Sequence, residues 1–231
     1  MVSLPERRAL GLLLVAGSAV LVLFLGFRVV NPRRPVVENT PGFSDPVVGF
    51  ELASRAEDVF GILGAPGTPE RVDAVRRMTL GIRLDFLFLI AYPTFTVAIA
   101  MLLAARGAAP SALVAGVLGL ALAMALGDAL ENRELLRLAS MLDSAAMAPA
   151  LIRLRVFTLV KWYALYAAAG VLAFPVWRQP DWWRWSAPLF ALAAACGLAS
   201  LVHLPAIEWG IAPLGAAWLM AYVRAFRRQS T

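Results

Sequence analysis

Asp85, Asp128, Glu131, Lys161 and Glu208 are the ionisable residues that fall inside or at the ends of the chain's long apolar runs. Tyr92, Asn132, Tyr163, Tyr166 and His203 stand near them in sequence. Asp128, Glu131 and Asn132 are spaced i, i+3, i+4, so on a helix they share one face. Asp85 and Tyr92, at i and i+7, share another. Lys161 is the only lysine of the chain. Four carboxyls against one ammonium cannot be neutral by that pairing alone. Either arginines at the rim (Arg83, Arg133, Arg153, Arg155) reach in, or some carboxyls hold protons, or a cationic group binds. A charge at the centre of a bilayer costs about 2.5–3.5 kcal/mol on insertion scales, so such residues mark a site or a tightly paired network.

The elements that must position these residues are membrane helices. In 231 residues, 61% are hydrophobic, 16% are charged, and the mean hydropathy is +0.74. Soluble domains run near 45–50% apolar and about 25% charged, so a bilayer is the solvent. Disordered, collagen-like and disulfide-framework classes are excluded by the same composition. Six spans are expected, at 9–27, 86–105, 111–127, 156–176, 187–204 and 207–223. About 20 helical residues cross a core of about 30 Å; the third, fifth and sixth runs are short by that measure. Pro205 separates the last two. Arg7 and Arg8 ahead of the first run resemble a signal peptide, but no small-x-small cleavage site follows, so it reads as an uncleaved span. The expected fold is all-α: one domain, residues 1–231, an integral membrane six-helix bundle with a small helical extracytoplasmic cap in 28–85.

Orientation follows the basic residues. Net charge is +6 and the pI near 10.4. The short segments on the N-terminal side hold Arg7, Arg8, Arg106, Arg178, Arg184, Arg224, Arg227 and Arg228. Long loops count less in the positive-inside rule, so the N- and C-termini are expected in the cytoplasm of a cell (plasma) membrane protein. With six spans, the acids, Lys161 and His203 all fall toward the outer leaflet. The loop from Trp177 to Trp185 reads as an interfacial aromatic belt.

The 28–85 loop has helix grammar. Asp45 then Pro46 is an N-cap followed by Pro at the first helical position. Val48, Leu52, Ala56, Val59 and Leu63 form an apolar stripe, with Glu51 and Arg55 as an i,i+4 pair on another face. Gly64 is a stop, and Thr68-Pro69-Glu70 starts a helix running into the second span. The third helix is expected to continue outward as an amphipathic extension through Leu135, Leu138 and Leu142.

The stretches Phe50-Glu51-Leu52-Ala53, Leu84-Asp85-Phe86-Leu87-Phe88 with Tyr92, Asp128-Ala129-Leu130-Glu131-Asn132, and Lys161 resemble a group of uncharacterised bacterial multi-pass membrane proteins over about residues 48–165. That resemblance implies a membrane location and no activity.

The leading expectation is an outward-facing intramembrane polar pocket that binds or moves a small or lipid-derived ligand. Asp85, Tyr92, Asp128, Glu131, Asn132 and Lys161 are its ligand-binding candidates. Beside the bilayer itself, membrane-protein partners are the second reading: a non-catalytic subunit of a larger complex. A lipid enzyme using paired carboxylates ranks third, because no nucleophile triad or phosphate-cradling Gly loop accompanies the acids. The bland reading is a network that locks helices together or snorkels to headgroups. One His and one Cys argue against a zinc, haem or iron–sulfur site, so no cofactor and no metal are expected. No basic run interleaved with aromatics points to nucleic acid.

Overall fold

Four helices of 27 residues or more carry most of the apolar sequence in the computed structural model, which describes residues 3–229. They are α1 (Leu4–Val30), α4 (Pro69–Ala105), α5 (Ser111–Ser140) and α6 (Ala148–Trp177). Two short helices, α2 (Pro46–Glu51) and α3 (Ala56–Leu63), lie between α1 and α4. A 3-10 turn at Trp182–Ser186 leads into α7 (Ala187–Ala199), and α8 (Ala206–Gln229) ends the described chain. No strand occurs among the described residues. The side chain of Arg228, counted above among the inner arginines, lies outside those described.

Among the described residues, five helices are long and apolar enough to cross a membrane: α1, α4, α5, α6 and α8. The chain is an all-helical, multi-pass membrane protein by that measure. The run expected to make the fifth span, 187–204, yields the 13-residue α7. Thirteen residues rise about 20 Å, short of a hydrocarbon core of about 30 Å. The helix ends at Ser200, and the turn through His203 and Pro205 opens α8. Pro93, Pro175 and Pro213 all sit within helices without ending them.

The chain divides into two compact units, and α1, α4, α5 and α6 contribute residues to both. The first comprises 1–21, 90–125 and 162–231. Within it α7 packs against α8. Arg224, 2% exposed, donates from Nε (2.9 Å) and Nη2 (2.7 Å) to Asp181 Oδ2 and lies 4.5 Å above the Trp183 ring. Trp183 is therefore a fully buried core residue, whereas its belt neighbours Trp177, Trp182 and Trp185 are exposed.

The second unit comprises 22–89 and 126–161. Here the cap grammar is largely realised. Asp45 accepts from the Val47 N–H, with Pro46 opening α2, and Gly64, at φ 91°, closes α3. The expected single stripe is broken at 52–55, however, so that α2 and α3 are separate helices. The break is held by Asp58, whose carboxylate accepts from the N–H groups of Ser54 (2.9 Å) and Arg55 (3.1 Å) and from the Arg55 guanidinium (3.2 Å). Those bonds cap α3 as a new helix. Burial by itself would raise the pKa of Asp58; the bonds from Ser54 and Arg55 outweigh it and hold the carboxyl below its ordinary value. Phe50, Val59, Ile62 and Leu63 still bury their side chains, in one core with Met78, Ile82, Leu135, Leu138, Leu151 and Leu154. The α5 extension is present through Ser140, with Leu142 beyond its end.

Candidate functional site

The second unit brings Lys161 together with acids from three other helices. Its ammonium lies 2.7 Å from Glu131 Oε1, 3.1 Å from Glu51 Oε2 and 3.5 Å from Asp128 Oδ1. Asn132 donates from Nδ2 to Asp85 Oδ2 at 2.7 Å, and the Asp85 and Asp128 carboxyls are within hydrogen-bonding reach of each other. One chain of polar contacts thus runs Glu51–Lys161–Glu131 and Lys161–Asp128–Asp85–Asn132.

Local structure explains the convergence. Residues 128, 131 and 132 of α5 share a face by their spacing, and that face meets α6 where Lys161 projects. The approach is close at Gly127: a Cβ there would stand 3.0 Å from both Lys161 N and Phe157 O. Only glycine lets the two backbones come this near. Glu51 arrives because α2 ends there. The Thr158 hydroxyl, one turn before Lys161, donates to the Glu51 carbonyl at 3.0 Å and fixes that end of α2.

The centre of the cluster is buried, with Glu51 and Asp85 half-buried. Glu131 is 0% exposed, Asp128 1%, Asn132 2% and Lys161 7%. Glu131 Oε2 has no hydrogen-bond partner among the described residues. Two clefts occur elsewhere, of about 430 Å³ beside Arg106 and Asp181 in the first unit and about 620 Å³ beside Arg33 and Arg77 in the second. Neither is lined by a cluster residue. Arg153, one of the four rim arginines weighed as partners for the acids, forms a two-pronged pair with Glu134, at 2.9 Å on each arm.

The structure therefore assembles Asp85, Asp128, Glu131, Asn132 and Lys161 in one unit. Tyr92 belongs to the first unit, where it is buried and stacks on Trp218 at 6.2 Å between ring centroids. Tyr166, His203 and Glu208 belong to that unit as well. The Tyr166 hydroxyl donates to the Ile207 carbonyl, and His203 lies 5.1 Å from the Trp209 ring. The sequence reading missed Glu51 as a site residue by assigning it to Arg55. The signal against that pairing was the pair of acids Glu57 and Asp58, which suit the first turn of a new helix at 56.

Such a cluster can hold positive charge. With all groups ionised, four carboxyls would surround a single ammonium, and charge buried in an apolar setting is costly unless matched. Protons or a bound cation supply the match. Among the described residues, no group of three or more His, Cys, Asp or Glu is arranged to hold a metal ion. Comparison with protein-family models, curated proteins and solved structures finds no match to the chain.

Proposed function

We propose that the chain binds, and either holds or moves, a small or lipid-derived ligand bearing a positive charge, with the Lys161–carboxylate cluster as its site. The observation that carries this reading is the four-to-one ratio of carboxyls to ammonium in a cluster whose centre is buried, with Glu131 Oε2 buried and unpartnered. Asp128 and Glu131 form the electrostatic core. Asp85 and Asn132 extend it, and Glu51 links it to α2. Lys161 holds the acids in place until a ligand cation replaces it or joins it. Access requires Glu51 to leave Lys161, which makes α2 and α3 the lid.

This reading includes a six-span topology in the plasma membrane, with α7 as the short fifth span, α2 and α3 outside, and both termini in the cytoplasm.

The test is thermal stability of the purified protein in detergent against guanidinium, choline, ethanolamine and sphingosine. Binding to the folded state alone stabilises by about 2.7 kcal/mol at a hundredfold excess over Kd. At least one of these cations is expected to raise Tm, with the shift lost in Asp128→Asn. No shift with any of them, or a shift unchanged in both Asp128→Asn and Glu131→Gln, retires the proposal.

A further inference from the structure

The second cleft of the structure carries charges of both signs and uses no residue of the Lys161 cluster. It lies where α1 ends and is lined by Asn31, Arg33, Arg34, Glu70, Asp73 and Arg77, among others. Arg77 pairs with Asp73 at 2.8 Å. Arg33 and Arg34 are exposed and make no ion pair among the described residues, and neither does Glu70. Two free guanidinium groups thus share a cleft with a free carboxylate and a second acid. Guanidinium groups match phosphate oxygens through paired N–H donors, and carboxylates match an ammonium.

What leads to the cleft is equally specific. Val22, Leu25 and Val29 are 68%, 64% and 74% exposed. At i, i+3 and i+7 they form one face of α1. In a membrane helix such a face meets acyl chains. It ends on Val29, which itself lines the cleft. An apolar track that ends in a cleft with separate anionic-group and cationic-group partners has the layout of a phospholipid: chains below, phosphate and amine above.

We infer that this cleft binds a membrane phospholipid whose headgroup joins a phosphate to a primary ammonium. Arg33 and Arg34 take the phosphate, Glu70 and Asp73 take the ammonium, and the Val22–Leu25–Val29 face takes an acyl chain. A primary ammonium has three N–H donors for the carboxylates, whereas a choline group has none, so the cleft separates the two headgroups.

The full chain, purified in mild detergent, is incubated with vesicles holding equal parts of phosphatidylethanolamine, phosphatidylcholine and phosphatidylglycerol with identical chains. Native mass spectrometry then reads the retained lipid. Phosphatidylethanolamine is expected to be retained roughly tenfold over phosphatidylcholine, the scale of one charge-assisted hydrogen bond. Arg33→Gln with Arg34→Gln should cut phosphatidylethanolamine retention by roughly the same factor. Glu70→Gln with Asp73→Asn should remove its advantage over phosphatidylcholine. All four are surface residues, and a melting curve on each variant verifies folding. A wild-type preference over phosphatidylcholine below about threefold, or unchanged retention in the arginine variant, overturns the assignment. So does displacement of the lipid by soluble glycerophosphoethanolamine at matched concentration, which would make the ligand a solute rather than a membrane lipid.

Discussion

Lys161 Nζ stands 2.7 Å from Glu131 Oε1, joining α6 to α5 through a pair in which Glu131 is fully buried. Removing one partner of a buried pair leaves the other uncompensated, at a cost of about 3–5 kcal/mol. Lys161→Met is therefore expected to lower Tm sharply, because Glu51, Asp128 and Glu131 all lose their shared cation. Glu131→Gln should cost less, since two acids still face the ammonium. The double variant should be more stable than the two single losses predict. Melting curves in one detergent complete the cycle. Strict additivity would mean that the two groups do not interact in the membrane protein.

Gly127 is a point of close approach between α5 and α6 beside the site, and its replacement tests that packing. A methyl group would meet backbone atoms of Phe157 and Lys161 at 3.0 Å, and backbone cannot rotate away. Gly127→Ala should cost about 1–3 kcal/mol, the range for overpacking. Gly119, on the same helix, has nothing within 4 Å of its would-be Cβ. Gly119→Ala should be neutral or stabilising, since Ala is the better helix former. Equal Tm for the two variants would contradict the close approach.

These contacts mark how much of the site was legible. The i, i+3, i+4 spacing of Asp128, Glu131 and Asn132 was visible because a helix repeats at 3.6 residues, and their encounter with Asp85 and Lys161 was expected from polarity alone. Glu51 was not visible. Local grammar offered it Arg55 four residues on, and only the capping of α3 by Asp58 sends Glu51 and Arg55 to different partners. Tyr92 shares a face with Asp85 by its spacing, but seven residues of α4 separate the two by about 10 Å along the axis, and the Tyr92 ring stacks on Trp218. Gly127 was read as nothing more than part of an apolar run, since closeness between α5 and α6 is tertiary information.

Asp58 gives the cap a pH dependence whose sign is fixed. Its carboxyl is held below its ordinary value by the bonds from Ser54 and Arg55, against the opposing effect of burial. A depressed folded-state value contributes stability that is complete above the unfolded value, about 3.9, and is lost as pH falls through the folded value. Asp58→Asn should thus destabilise at neutral pH by about 0.5–2 kcal/mol, the range for a helix cap. The gap from wild type should close below about pH 4. Protease sensitivity within 52–68, followed from pH 7 to pH 3, measures it. A gap that widens in acid would reverse the sign and refute the role of Asp58 as a charged cap.

The side on which Val202 lies decides whether α7 crosses the membrane. Val202 is 92% exposed in the turn between α7 and α8. If α7 spans, residue 202 lies beyond its outer end and the two termini share a side. If only the five longer helices span, residue 202 stays on the side of the Trp177–Trp185 loop, and the termini lie on opposite sides. Cys196 is the only cysteine, so Cys196→Ala gives a clean background. In that background Val202→Cys should react with a membrane-impermeant maleimide added to intact cells. Ala65→Cys, at an exposed position between α3 and α4, should react as well. Ala109→Cys, in the turn between α4 and α5, should react only after the membrane is permeabilised. Labelling of Ala65→Cys without Val202→Cys would reduce the topology to five spans. It would also move the C-terminus to the outside.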